Sequence, residues 1–181
     1  INWEEFEHIH VIKKLKQILN AWWNIDVIFT DERGQIKGYD SQKTQFANPI
    51  TPFLLNKEAT QNSLAEHISK AMEDLNISQN RYSIRKWDYV GFDTGVFPIY
   101  IEGDYVGSVV AIGFFKDQNF SQKLTEIRDR LAAFGASGEM IEKAMGKFKY
   151  LDDAEKNHFG EICELVAQEI VTLHLEIKKK K

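Results

Sequence analysis

The sequence predicts an α+β domain in which helices flank an antiparallel sheet of about five strands. Apolar residues recur at helical spacing near both ends of the 181-residue chain. Between these ends, segments rich in β-branched and aromatic residues alternate with polar turns, which is typical of strands. The longest two run from 87 to 114 and meet at Glu102-Gly103-Asp104, where the glycine suits a tight turn. Helices at both ends of a hairpin-rich core favour the α+β class.

The first half of the chain predicts a helix, a hairpin and a second helix. Asn2 is a suitable N-cap for the first helix, whose apolar positions are Trp3, Phe6, Ile9, Ile12, Leu15, Leu19 and Trp22. Two prolines and a polar composition indicate a loop over 40–52. The predicted segments are a helix over 3–22, strands over 25–30 and 35–39 around a turn at 31–34, a helix over 57–75 and a strand over 81–87.

The second half ends in a long helix. Two short helices are predicted over 121–134 and 138–145, and Asp152 is expected to cap a helix of about 25 residues. Apolar residues recur every seven positions along it, which favours pairing with a second copy of the chain. The alternative is that one domain buries the whole stripe. The predicted dimer residues are Phe159, Val166, Ile170, Leu173 and Ile177. The chain then divides into an N-terminal helix over 1–24, a core over 25–150 and a C-terminal helix over 151–181.

Composition argues against several classes of protein. The net charge is −4, and the only run of like charge is Lys178–Lys181, so nucleic-acid binding by this segment is not expected. Cys163 is the single cysteine, which excludes an internal disulfide framework. No apolar run reaches the roughly 20 residues that span a bilayer. We therefore expect a cytoplasmic protein that does not bind membranes.

Motifs of catalysis are not found in the sequence. It has no phosphate-binding glycine loop, no nucleophile elbow and no Cys-x-x-Cys pair. His8 and His10 are two positions apart on a predicted helix, so they point to different faces and do not suit a shared metal. His67 stands alone on another predicted helix. We expect no enzymatic activity, no catalytic residues, no metal and no cofactor.

Aromatic residues of the predicted sheet indicate a pocket for a small molecule. They occupy both odd and even strand positions, so about half of them face one side of the sheet and the rest face the other side. Phe92, Thr94 and Val96 share one face, and Asp93, Gly95 and Phe97 share the other unless Pro98 marks a bulge. Packing of a solid core would give the same pattern. The predicted ligand-binding residues are Phe29, Phe53, Tyr82, Trp87, Phe92, Asp93, Thr94, Phe97, Val110, Ile112 and Phe114.

The stretch from Gly91 to Ile99, followed by Glu102 to Val109, resembles the PocR family of bacterial sensory domains, a variant of the PAS/GAF-type fold. The helices over 124–148 and 154–173 are similar to the C-terminal helices of that family. The resemblance implies a PAS/GAF-like sheet, a small organic ligand and a downstream output domain that activates transcription or acts as a kinase or cyclase. Family members often carry several cysteines around the pocket, whereas this chain has Asp88 and Tyr89 before the glycine stretch.

The sequence therefore predicts two alternative functions that belong to different classes of protein. The first is a cytoplasmic sensory domain of a bacterial signalling or transcription-regulatory protein, which binds a small organic molecule on its sheet. The C-terminal helix would pair in a homodimer and transmit the change to an output domain in the same chain. Such a domain is expected because the sequence ends inside helix-favouring residues without a stop signal. The alternative is a dimerisation or protein-interaction module without a small-molecule ligand.

Overall fold

A computed structural model of the protein describes residues 1–7, 9–39 and 44–180, with the side chain of Glu7 also outside the description. Residues 40–43, the first part of the predicted loop over 40–52, therefore lie outside the described residues. His8 lies outside them as well. The described residues form α1 (Trp3–Glu7), α2 (His10–Trp23), β1 (Asp26–Asp31), β2 (Ile36–Lys37), α3 (Ile50–Leu55), α4 (Glu58–Ser78), β3 (Ser83–Lys86), β4 (Asp93–Ile101), β5 (Asp104–Phe115), α5 (Ser121–Ala133), α6 (Gly138–Met145), β6 (Lys149–Tyr150) and α7 (Asp153–Lys179).

The strands form one open sheet in the order β2-β1-β5-β4-β3. Neighbours along this path are antiparallel, and the short β6 pairs in parallel with the end of β5. Strand β5 lies at the centre, paired with β1 on one side and β4 on the other. With the N-terminal helices and the long C-terminal helix, this arrangement confirms the predicted α+β class.

Helices cover both faces of the sheet. We call the side that packs against α1, α2 and α7 the α7 face; it includes Phe29, Phe97 and Val109. The side that packs against α3, α4, α5 and α6 is the α4 face, and it includes Val96 and Val110. Because both faces are buried, the central strands are apolar at odd and even positions alike.

The single helix predicted over 3–22 is two helices. Ile9 adopts extended backbone between α1 and α2, so the helical phase changes at this point. As a result Trp23 is buried, whereas Trp22, which the spacing placed inward, is 60% exposed. Asn24 ends α2 in the left-handed conformation, a common C-terminal device of helices.

Helix α3 lies within the segment predicted to be a loop. Pro52 occupies its third position, where a missing N–H breaks no hydrogen bond within the helix. Asn48 precedes the helix and its side-chain oxygen accepts a hydrogen bond from the backbone N–H of Ile50 (3.0 Å). The prolines therefore mark the start of a helix instead of an extended loop.

A buried carboxylate at the start of β1 holds α3 in place. Asp26 is 1% exposed, and its oxygens accept hydrogen bonds from Ala47 N (2.6 Å), Asn48 N (3.1 Å) and Thr51 Oγ1 (2.6 Å). Asn48 in turn donates from its amide nitrogen to the carbonyl oxygen of Ala144 in α6 (3.3 Å). Burial raises the pKa of Asp26 above its usual value, although the three hydrogen bonds act in the opposite direction.

The alternation of side chains along β5 changes at Gly113. Asp93 pairs with Phe114 and Thr94 with Ile112, so Gly113 is an extra residue on β5, a β-bulge. The bulge turns Phe114 to the α7 face, where its ring lies 5.0 Å from that of Phe159. Strict alternation from Ile112 would have placed Phe114 on the α4 face.

Helix α7 is 27 residues long and begins as predicted. Asp152 accepts a hydrogen bond from the backbone N–H of Glu155 (2.8 Å), and the two residues form a capping box. Gly160 faces Tyr82: a Cβ at Gly160 would lie 2.8 Å from the Tyr82 hydroxyl oxygen. The aromatic ring therefore packs directly on the helix surface.

The predicted dimer residues on α7 belong largely to the core of the chain itself. Phe159, Val166 and Ile170 are each 0% exposed and pack on the α7 face of the sheet. Leu173 and Ile177 are half-buried. The first three residues are therefore not on a surface that a second copy can reach, which corrects the expected seam.

We predict that Asp26→Ala lowers the free energy of unfolding by about 3 kcal/mol or more, because three donors, two of them buried, lose their acceptor. Urea denaturation measures the change. Asp104→Ala is the matched control, since Asp104 is exposed at the start of β5 and is expected to change stability by less than about 0.5 kcal/mol. Equal effects of the two substitutions would contradict the structural role of Asp26.

Candidate functional site

Three polar residues lie along one side of α4 and bond to the sheet or to the turn before β4. Thr60, Ser63 and His67 are spaced three and four residues apart, so they share one side of the helix. We call these three residues the α4 polar row. Each of them hydrogen-bonds a residue of the sheet or of the turn between β3 and β4.

His67 is the titratable member of the α4 polar row and is buried, with 7% of its surface exposed. Its Nε2 shares a short hydrogen bond with the hydroxyl of Thr94 on β4. Thr94 Oγ1 also donates to the carbonyl oxygen of Arg85 on β3 (3.4 Å). A neutral ring that donates from Nε2 to Thr94 satisfies both hydrogen bonds at once.

Burial lowers the pKa of His67 from 6.5 to about 4. The positive charge of Arg85 acts in the same direction, although Arg85 also forms an ion pair with Asp74 (2.8 Å). Asp88 opposes the shift. The imidazole is consequently uncharged near neutral pH and can serve as a hydrogen-bonding group inside the domain.

Trp87 joins the α4 polar row to an aromatic cluster. Its indole N–H donates to Ser63 Oγ (3.1 Å), and its ring lies 6.3 Å from that of His67. Phe92 and Tyr89 lie on either side, with ring centroids 5.7 and 5.6 Å from Trp87. The hydroxyl of Tyr89 accepts a hydrogen bond from Thr60 at the beginning of α4 (3.2 Å).

The other side of α4 borders an open cleft of about 380 Å³. This volume falls within the range of small-molecule sites, roughly 300–1,000 Å³. We call it the α4 cleft. It is lined by Glu32, Arg33, Gly34, Ala65, Ile68, Ser69, Met72, Glu73, Asn76 and Tyr105.

The turn between β1 and β2 forms the outer wall of the α4 cleft. Asp31 Oδ1 accepts hydrogen bonds from the backbone N–H groups of Arg33 and Gln35, both at 2.9 Å. Gly34 has a φ of +78°, and a Cβ there would lie 2.9 Å from Cα of Ala65. The Asp-x-x-Gly sequence therefore brings the turn into contact with α4.

Two hydroxyls lie in the sheet next to the α4 cleft. Ser108 and Thr30 are paired residues of β5 and β1, and both are fully buried. Tyr105 shares a hydrogen bond with Ser108 (2.6 Å), whereas Thr30 Oγ1 has no partner among the described residues. The sheet next to the cleft is thus more polar than its apolar centre at Val110.

The predicted ligand-binding residues divide between the two faces. Those of the α4 face are Phe53, Trp87, Phe92, Thr94, Val110 and Ile112. Those of the α7 face are Phe29, Phe97 and Phe114, with Tyr82 stacked on Phe97 at 4.7 Å. Because the sheet separates the two groups, one pocket cannot contain both.

Asp93 lies at the start of β4 and is 1% exposed. One carboxylate oxygen accepts a hydrogen bond from the backbone N–H of Lys116 (2.8 Å), and the other has no partner among the described residues. Burial raises the pKa of Asp93. The backbone amide of Lys116 is therefore the partner of this buried carboxylate among the described residues.

Sequence reasoning missed the α4 polar row. His67 was expected to stand alone, because its partner Thr94 lies 27 residues away. The spacing of Thr60, Ser63 and His67 beside the apolar positions of α4 was the available signal.

Neither a metal-binding cluster nor a membrane-spanning helix occurs among the described residues. Among them, no group of three or more His, Cys, Asp or Glu side chains is placed to bind a metal ion. Cys163 is fully buried, and burial raises the pKa of its thiol. None of the described helices combines the length and apolar character needed to cross a bilayer.

Comparisons with known proteins identified no relative. A scan against family models, a search of curated proteins and a search of solved structures each returned no match. The resemblance to PocR domains therefore rests on the motifs of this sequence alone.

We predict that acid destabilises the domain partly through His67. Between pH 6.5 and about 4 the unfolded chain binds a proton that the folded chain does not, so the free energy of unfolding falls as the pH falls. The full difference is up to about 3 kcal/mol. His67→Gln removes this contribution, so its stability depends less steeply on pH over that window. Chemical denaturation at several pH values measures the slope.

The matched control for this experiment is His10→Gln. His10 is exposed on α2, so this variant shows what the loss of a histidine outside the core does to the slope. An unaltered slope in His67→Gln would contradict the neutral, buried state of His67.

We predict that Gly34→Ala destabilises the domain more than Gly103→Ala does. Both glycines have positive φ, +78° and +86°, so alanine is strained at either position. Only at Gly34 would the added methyl meet backbone atoms of α4, whereas nothing lies within 4 Å at Gly103. Urea denaturation is expected to show a difference of about 1 kcal/mol or more between the two variants. Equal losses would contradict the close contact of the turn with α4.

Proposed function

We propose that the chain is a sensory domain that binds a small organic molecule on the α4 face of its sheet and transmits the change through α7. The resemblance to PocR domains supports a place in a cytoplasmic signalling or transcription-regulatory protein of bacteria. An output domain in the same chain and a homodimer belong to this proposal. It includes no enzymatic activity and no cofactor.

The observation that carries the proposal is the asymmetry of α4. On one side, the α4 polar row is hydrogen-bonded to Thr94, Trp87 and Tyr89. On the other side lies the α4 cleft of about 380 Å³. A ligand in this cleft would contact α4, the turn between β1 and β2, and Tyr105 of β5. Apolar groups at Ile68 and Met72, together with amide and hydroxyl groups, suit a small organic molecule.

Strand β5 supports a connection from the ligand to α7. Tyr105, which borders the α4 cleft, lies at one end of β5. Phe114, near the other end, contacts Phe159 of α7 through the opposite face of the sheet. A ligand that binds two arrangements of α4 unequally would shift their populations, and β5, like β4, carries residues in both layers.

Native mass spectrometry and a thermal-shift panel test the proposal. A co-purified or added small molecule is expected to bind the folded chain and raise its melting temperature by about 5 °C or more at a hundredfold excess over the dissociation constant. Asn76→Trp should abolish the shift, because Asn76 is exposed and lines the α4 cleft.

Asn62→Trp is the matched control, since Asn62 is also exposed on α4 but is not part of the cleft lining. It should retain the ligand-induced shift. If both variants respond like the unmodified chain, the ligand binds elsewhere and the α4 cleft is not the site. If no molecule binds the unmodified chain in either assay, the sensory proposal fails in favour of a protein-interaction module.

A further inference from the structure

Helix α2 carries a stripe of apolar residues that lies at the edge of the core: Leu15 packs against the core, whereas the ends of the stripe are exposed. Val11, Leu15, Ile18 and Trp22 follow one another at spacings of four, three and four residues and therefore form one stripe. Val11 is 40% and Trp22 is 60% exposed, whereas Leu15 and Ile18 are half-buried. Exposing so much of the apolar indole ring to water is energetically unfavourable, and tryptophan is enriched at protein interfaces.

Helix α7 lies antiparallel beside α2. At one end, Trp23 donates a hydrogen bond to Glu155 (3.2 Å). At the other, the chain before α2 shares a cleft with His174 and Ile177. Leu165, near the middle of α7, is 43% exposed. The two neighbouring helices thus each carry exposed apolar residues.

The two helices carry opposite charge. Helix α2 has three lysines and no acidic residue, and two of these lysines, Lys13 and Lys14, are exposed. Helix α7 has six carboxylates and one lysine between residues 153 and 176, and Glu161 and Glu176 are exposed. A surface with a basic helix beside an acidic one is complementary to its own copy after a two-fold rotation, because each helix then meets its opposite.

We propose that this surface binds a second copy of the chain, with α2 of each protomer packed against α7 of its partner. Trp22, Val11 and Leu165 form the apolar centre of the contact, and the lysines of α2 face the carboxylates of the partner's α7. This interface differs from a seam through Phe159, Val166 and Ile170, which are buried in the core. It deepens the homodimer of the proposed function but does not depend on a bound ligand, so its failure would remove the dimer and leave ligand binding in the α4 cleft to its own test.

Sedimentation equilibrium tests the apolar centre. The unmodified chain is expected to be a dimer, and Trp22→Asp should raise the dimer dissociation constant by about thirtyfold or more. Ile77→Asp is the matched control: Ile77 is 84% exposed at the end of α4, and its substitution should leave the dimer intact. Circular dichroism verifies that each variant is folded, and Val11→Asp replaces Trp22→Asp if the latter is not.

A charge exchange tests the pairing of the helices. One variant carries Lys14→Glu, at a position three residues from Val11 and four from Ile18, and the other carries Glu161→Lys and Glu176→Lys. Each alone brings like charges together and should be at least about tenfold weaker as a dimer. An equimolar mixture should form a heterodimer, because α2 of each variant then meets opposite charge on α7 of the other.

Three results would overturn the proposal. They are an unmodified chain that is monomeric at high concentration, a folded Trp22→Asp or Val11→Asp variant that dimerises normally, and a mixture of the two charge variants that remains as weakly associated as its components.

Discussion

The carboxylate of Asp26 is the constraint on which the α4 side of the domain depends. A carboxylate so deeply buried costs several kcal/mol unless donors surround it. The donors come from a short piece of chain between Ala47 and Thr51, so satisfying the carboxylate also fixes the start of α3. Asn48 continues the network to α6. One polar group at the edge of β1 thereby positions two helices of the layer that also contains α4.

The second constraint is the burial of the sheet on both faces. Each central strand must supply apolar side chains to two cores, so hydrophobic alternation carries no information about which face a residue occupies. The bulge at Gly113 then reverses the alternation within β5. As a consequence, Phe114 joins the core around α7 and Phe115 packs on the α4 side.

The sequence predicted those elements whose signals are local. Asp152 marks the beginning of α7, and the glycine between β4 and β5 marks their hairpin. Helix α3 was missed because its prolines are equally typical of loops, and the interruption at Ile9 carries no strong local signal. The site was less predictable than the fold. The pairing of His67 with Thr94 and the assignment of aromatic residues to a face both depend on contacts between segments distant in the chain.

The packing of Tyr82 on Gly160 limits how α7 can move. An α-helix turns by about 100° per residue, so rotating α7 by one position would bring the side chain of Phe159 or Glu161 beneath the Tyr82 ring. Neither fits without a shift of Tyr82, because even a Cβ at position 160 would lie 2.8 Å from the Tyr82 hydroxyl oxygen. The contact therefore resists rotation of α7 about its own axis. Tilting of the helix about Gly160 does not require a larger side chain to fit beneath the ring.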